Sequence, residues 1–184
     1  RYPLVTGVQT CALPICVRPI DGRFALMDDP AIWPVLKSHY DSINIDDSHT
    51  LLKLRANPRP IEEAPAQAEF DFSDWITLPA FQSRDIYARL AIGNGTLNRL
   101  LALAWKPAIH YLEVKTSTQT QAKRYRLVPE AAASGFLLSP LIEDHYELAA
   151  WMRDQSPASA QVSAVRVVDG VGRPITSHRS EEHT

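Results

Sequence analysis

The chain has 184 residues, enough for one domain or a domain with an appended fragment and too few for a multidomain enzyme. Its 45% hydrophobic and 22% charged residues exclude a disordered or collagenous chain, and a formal net charge of -2 gives no electrostatic argument for a nucleic-acid partner. No apolar run approaches the roughly 18 residues that a membrane span needs; the longest, 97–105, is short and carries Arg99.

In chain order, the first feature is Val5-Thr6-Gly7-Val8-Gln9-Thr10-Cys11-Ala12-Leu13-Pro14-Ile15, which resembles a translated short-read sequencing adapter in reverse complement. Arg179-Ser180-Glu181-Glu182-His183-Thr184 resembles the same adapter read forward. Both matches together, one at each end and in the expected orientations, are specific. Residues 1–16 and 179–184 are therefore set aside as an adapter-derived artefact, the natural insert is taken as about 17–178, and the gene is expected to be cut upstream of Val17. Cys11 and Cys16 fall in the excluded part and carry no information on redox compartment.

Residues 17–56 read as a strand–helix–strand end of a truncated upstream region. Arg23 to Met27 can be extended, Asp29-Pro30 reads as an N-cap with proline at the first helical position, and Ile32, Val35, Leu36 and His39-Tyr40 come next at helical spacing. Leu51-Leu52-Lys53-Leu54 is a compact apolar strand. So short a piece buries little surface by itself, so it should pack on the downstream β domain or be the tail of a larger one. Residues 57–68, with Pro58, Pro60 and Pro65, form an extended proline-rich linker.

Residues 69–169 carry a β pattern, with 170–178 as a tail. Phe70 and Phe72 alternate with polar neighbours, as do Ile86, Ala88, Leu90 and Ile92. Gly93-Asn94-Gly95 is a turn signal, and 97–105 fits a strand or a helix equally. Tyr111 to Lys115 and Arg124 to Val128 are strands around a polar hairpin loop, with Tyr125 and Leu127 on one face and Arg124 and Arg126 on the other. Gly135 to Leu138 is a further strand, and Asp144 with Glu147 has capping-box spacing for a helix ending near Met152. A last strand covers 162–168. The expected fold class is mainly β (α+β): an antiparallel β-sandwich or jelly-roll-like domain with one or two short helices, preceded by the small strand–helix–strand piece.

Four groups of residues bear on function. Glu143-Asp144-His145-Tyr146-Glu147 concentrates carboxylates and an imidazole, but acid at a helix start is what capping and the macrodipole demand. Asp28-Asp29, Asp46-Asp47 and His49 serve acid–base catalysis only if they face one pocket; a cap and a turn explain them more economically. Lys115, Lys123, Arg124 and Arg126 form a local basic patch for which phosphate-bearing glycans and anionic lipid headgroups are candidate partners, against a solvated sheet face as the plain alternative. Among Trp33, Trp75, Trp105 and Trp151, the aromatic expected to stay exposed is Trp75, beside Ser73-Asp74 near a strand end, where a sugar could stack. Trp75, Lys115, Arg124 and Arg126 are thus the candidate ligand-binding residues. No catalytic or metal-binding residue is assigned and no cofactor is expected, because no nucleophile elbow, phosphate-binding glycine loop or paired CxxC occurs.

Two stretches carry a resemblance. Ile20-Asp21-Gly22-Arg23, Asp28 to Leu36, His39-Tyr40 and Leu51 to Arg55 resemble the end of a periplasmic region in bacterial polytopic membrane proteins, namely lipid-linked-sugar glycosyltransferases and their uncharacterised relatives. Tyr125 to Pro129 with Gly135 to Leu141 resembles the C-terminal β-rich extracytoplasmic domain of such proteins. The resemblance implies a non-catalytic domain facing the periplasm at the bacterial inner membrane. It would dock on the transmembrane region of its parent chain or position a glycan or lipid-linked sugar. No active-site residue of that family maps onto this sequence. A carbohydrate-binding β-sandwich and a hydrolase with an acidic/His site are the rival readings.

Overall fold

A computed structural model describes residues 12–46, 48–61, 74–78, 85–90, 109–119 and 121–173. They form a mainly β, α+β architecture: three small antiparallel sheets in a sandwich-like arrangement with a few short helices. The expected strands at 70–73, the turn at 93–95, the segment 97–105, Asp47 and most of the linker lie outside the described residues.

The first part of the chain departs from strand–helix–strand. Arg23, which bridges to Arg126, and Phe24 are extended, while Ala25–Met27 wind into a 3-10 turn closed by the Met27 N–H on the Phe24 carbonyl at 3.0 Å. The turn sends Phe24, Leu26 and Met27 all into the core, where an extended chain would turn Met27 to the opposite face from Phe24 and Leu26. Helix α1 (Ile32–His39) begins after Pro30: Asp29 takes φ +48 in the preceding turn, and its carbonyl, not its side chain, receives the Ile32 N–H at 3.0 Å. Pro34 falls in the first turn, where helix N–H groups have no intrahelical acceptor. Trp33 and Leu36 face inward, whereas Ile32 and Val35 remain exposed.

Tyr40 leaves the helix as the first residue of β2 (Tyr40–Ile45), which pairs with β3 (Thr50–Leu54) across a tight turn. The turn is held by the Asp46 carboxylate, which accepts the Ser48 and His49 backbone N–H groups at 2.8 and 2.7 Å. A short strand, β1 (Ala12–Ile15), adds to the other edge of β3, with Leu13 and Ile15 packed on the core. This strand belongs to the adapter-like leader. Strand addition is specified by main-chain hydrogen bonds and a two-residue alternation, which Leu13-Pro14-Ile15 satisfies.

The main sheet runs β4 (Ile76–Thr77), β9 (Val162–Asp169), β6 (His110–Thr116), β7 (Lys123–Leu127) in spatial order. A two-stranded sheet pairs β5 (Ile86–Ala88) with β8 (Phe136–Ser139). Between β7 and β8 lies α2 (Pro129–Ser134), a turn the strand reading passes over. Pro129 starts it with φ already set, and Gly135 at φ +94 ends it. The capping-box spacing does mark a helix, α3 (His145–Met152): Asp144 accepts the Glu147 N–H at 2.8 Å, and the Glu147 carboxylate reaches back to the Glu143 N–H at 2.6 Å.

One hydrophobic core joins both parts of the chain. Leu112, Val114, Leu127, Val165 and Val167 line the inner face of the main sheet, and Leu148, Trp151 and Met152 of α3 belong to the same cluster. Phe24 stands edge-on to Tyr125 and Phe136, with centroids at 5.6 and 6.4 Å, so the first segment inserts between β7 and β8. Polar ties run along the same seam: the buried Thr50 hydroxyl donates to the His145 carbonyl at 2.6 Å, and buried Ser139 donates to the Gln161 side chain and accepts the Val162 N–H.

Candidate ligand-binding face

Alternation along the main sheet decides which side chains meet solvent. Leu112, Val114, Tyr125, Leu127, Val165 and Val167 point inward, so Tyr111, Glu113, Lys115, Arg124, Arg126 and Arg166 share the outer face. Register places Glu113 beside both Arg124 and Arg166, and Tyr111 beside Arg126. Trp75, which leads into β4 one position before inward-facing Ile76, reaches the same face: the Lys115 Nζ lies 4.0 Å and the Arg166 guanidinium 4.7 Å from its ring centroid. The structure therefore brings Trp75, Lys115, Arg124 and Arg126 onto one surface.

The details differ from an exposed stacking platform. Trp75 is half-buried, and two cations already lie against its ring. Such contacts hold Lys115 and Arg166 in place without neutralising them. Arg166 is neutralised by Glu113, whose carboxylate it meets at 2.6 Å. Arg124 lies over the Tyr111 ring at 4.0 Å and donates to the carbonyls of Asp169 and Gly170 at 2.9 and 3.5 Å. Val168, the register partner of Tyr111, is fully buried and gives this end of the face an apolar floor.

Lys123 does not join the patch. It sits one residue out of phase with Arg124, and its ammonium pairs with Glu143 instead. Glu143 also accepts the Tyr125 hydroxyl at 2.6 Å, which ties β7 to the start of α3. Burial, helped by the hydrogen bond and charge of Glu143, pushes the Tyr125 phenol well above its ordinary value. Burial likewise raises the Glu147 carboxyl, against the lowering effect of the Glu143 N–H.

The acidic groups singled out near the start of the chain do not gather in one site. Asp28 pairs with Arg23 at 2.8 Å, and Asp29 sits in the turn before α1. Asp46 is held below the usual carboxylate range by the Ser48 and His49 N–H groups; with His49 it borders a shallow groove of about 360 Å³ that also touches Pro14, Asn44 and Leu51. The Ser48 hydroxyl and the Asp46 carboxylate both approach His49 at Nδ1, at 2.7 and 3.7 Å, whereas a relay needs them on opposite ring nitrogens. Among the described residues no group of three or more His, Cys, Asp or Glu side chains is disposed to hold a metal ion. Near Val17, exposed Ile20 and Ile32 border a second groove of about 180 Å³ together with Asp28 and Asp29. No helix among the described residues is long and apolar enough to cross a membrane.

Sequence reasoning missed Tyr111, Glu113 and Arg166. Arg166 was visible only as one polar residue within an apolar strand; its place beside Trp75 comes from the pairing of β9 with β4 and β6, which are distant in sequence. The chain matches no family model, no curated protein and no solved structure.

Proposed function

We propose that the chain is a non-catalytic extracytoplasmic domain of a bacterial inner-membrane protein, and that it positions a glycan or lipid-linked sugar on the outer face of its main sheet. The observation that carries this reading is the convergence of Trp75, Tyr111, Lys115, Arg124, Arg126 and Arg166 on one surface from strands β4, β6, β7 and β9. Rigid strands hold these side chains, and aromatic rings order the cations. That is the preorganisation a recognition surface needs. Docking to a membrane region of the parent chain is the companion role. Exposed Ile20 and Ile32, which border one groove with Val17, favour it, as grouped apolar surface marks a contact site.

The hydrolase reading draws less support. It needs Asp28, Asp29, Asp144 and His145 around one pocket; Asp28 and Asp29 border one groove, but Asp144, which caps α3, and the buried His145, whose ring lies against Tyr146, do not line it.

NMR titration of the full chain with oligosaccharides released from bacterial envelopes tests the proposal. Shifts should cluster at Trp75, Tyr111, Lys115 and Arg124, and Trp75→Ala should weaken binding by about tenfold or more, the effect of roughly 1.4 kcal/mol. Absence of shifts on this face, or shifts confined to the Asp46–His49 groove, would overturn it.

A further inference from the structure

We propose that the group this face recognises is a phosphate, carried by a sugar or by a lipid headgroup, and that Lys115, Arg124 and Arg126 hold it. The inference rests on reading the outer face as the ligand face and names the chemistry of what binds there. Four cations stand on the outward positions of β6, β7 and β9, namely Lys115, Arg124, Arg126 and Arg166, against the single carboxylate of Glu113. Glu113 is spent on Arg166. Lys115 touches an aromatic ring and no carboxylate; Arg124 touches a ring and two neutral carbonyls; the Arg126 side chain has no partner among the described residues. Among the described residues three positive charges on this face are therefore without a carboxylate partner, and aromatic rings order two of them, Lys115 and Arg124.

A neutral sugar gains little from such a surface, and the Trp75 ring on which it would stack already carries Lys115 and Arg166. A phosphate gains from each cation. Its oxygens accept from several donors at once, and a guanidinium offers two parallel N–H groups to a single phosphate. Spacing is compatible. Arg124 and Arg126 project from one strand about 7 Å apart, so both guanidinium groups reach one anion, and Lys115, a diagonal cross-strand neighbour of Arg124 whose ammonium lies over Trp75, joins them by swinging off that ring. Arg124 is steadied from below by Tyr111 and from the side by the turn after β9, so little side-chain entropy is lost when it binds.

The test is calorimetric titration of the full chain with glucose 1-phosphate, methyl glucoside and glucuronic acid, and sedimentation with phosphatidylglycerol or phosphatidylcholine vesicles. Glucose 1-phosphate or phosphatidylglycerol should bind at least about tenfold tighter than the neutral or zwitterionic counterpart, and binding should weaken as salt is raised. Arg126→Gln and Arg124→Gln should each weaken it about tenfold, while Lys53→Gln on the other sheet should leave it unchanged. Vesicle binding without sugar-phosphate binding supports the phosphate and assigns it to a lipid headgroup, and it removes the glycan from the preceding proposal. The reverse result assigns it to a sugar. Equal affinity for methyl glucoside overturns the phosphate while leaving a glycan face intact. Equal affinity for glucuronic acid, indifference to Arg126→Gln, or no binding by any probe also overturns it.

Discussion

His110 opens β6 half-buried, with its Nδ1 buried and without a hydrogen-bond partner among the described residues. Burial pushes its pKa below 6.5, and the charge of Asp169 only partly opposes this. Because the folded-state value is depressed, the unfolded chain takes up the proton first as pH falls. The stabilising effect of a neutral His110 is complete above about 6.5 and is lost as pH drops through 6.5 toward the folded-state value. Glu147 acts with the opposite sign: its raised pKa makes the fold favour the protonated form, so its contribution is lost as pH rises. His110→Phe isolates the histidine, since Glu147 is common to both proteins. Urea unfolding between pH 7 and 5 should show the wild type losing stability relative to the variant, and parallel curves would refute this. At this scale the sequence is legible where the partner is near in the chain. Asp144 capping Glu147 is readable from spacing alone. The half-burial of Trp75 under Lys115 and Arg166 is not, because both cations arrive from other strands.

Elements are stitched by a run of alternating charges. Lys37 of α1 meets Asp85 at 2.8 Å and Asp154 at 3.1 Å; Asp154 meets Arg59 at 3.2 Å; Arg59 and Arg55 share Asp41 of β2. Asp85 is the hinge of this network, because its second oxygen accepts the Trp151 indole N–H at 2.9 Å. Trp151 is almost fully buried in α3, so that N–H has no access to water if the acceptor is removed. Asp85→Ala should therefore cost about 1–3 kcal/mol in urea unfolding, the range for a buried donor left unsatisfied. Asp85→Asn keeps an acceptor for the indole while dropping the ion pair, and should recover most of that loss because Lys37 retains the carboxylate of Asp154. Equal losses in the two variants would show that the Lys37 charge matters more than the indole. The β7 hairpin and α3 were readable from alternation and capping, which are local. The 3-10 turn at Ala25–Met27 was not: its residues suit a strand, and the contacts that hold it are distant in sequence, with Phe24 edge-on to Tyr125 and Phe136 and Leu26 and Met27 buried in the shared core.

The division of the whole chain into an upstream piece, a linker and a separate sandwich at 69–169 rests on composition, because prolines mark a break in regular structure. Composition does not report where apolar surface goes. Phe24, Leu26, Met27, Trp33, Leu36 and Leu52 share one core with Leu112, Tyr125, Phe136 and Trp151. Removing residues 17–56 would uncover the inner side of β7 and β8 and leave Asp85 and Asp154 without Lys37. Each large side chain withdrawn from that core forfeits about 1.5–3 kcal/mol of burial. The loss from Phe24, Leu26, Met27 and Trp33 together rivals the roughly 5–15 kcal/mol by which a domain of this size is normally stable. Expressed alone, residues 69–169 should lack a cooperative urea transition and should bind a dye that reports exposed apolar surface. Addition of a peptide covering residues 17–61 should restore the transition, since the missing surface is supplied by burial and hydrogen bonds rather than by chain continuity. A sharp transition in the isolated segment would mean that the sheets close on themselves and that the first segment is only an attachment.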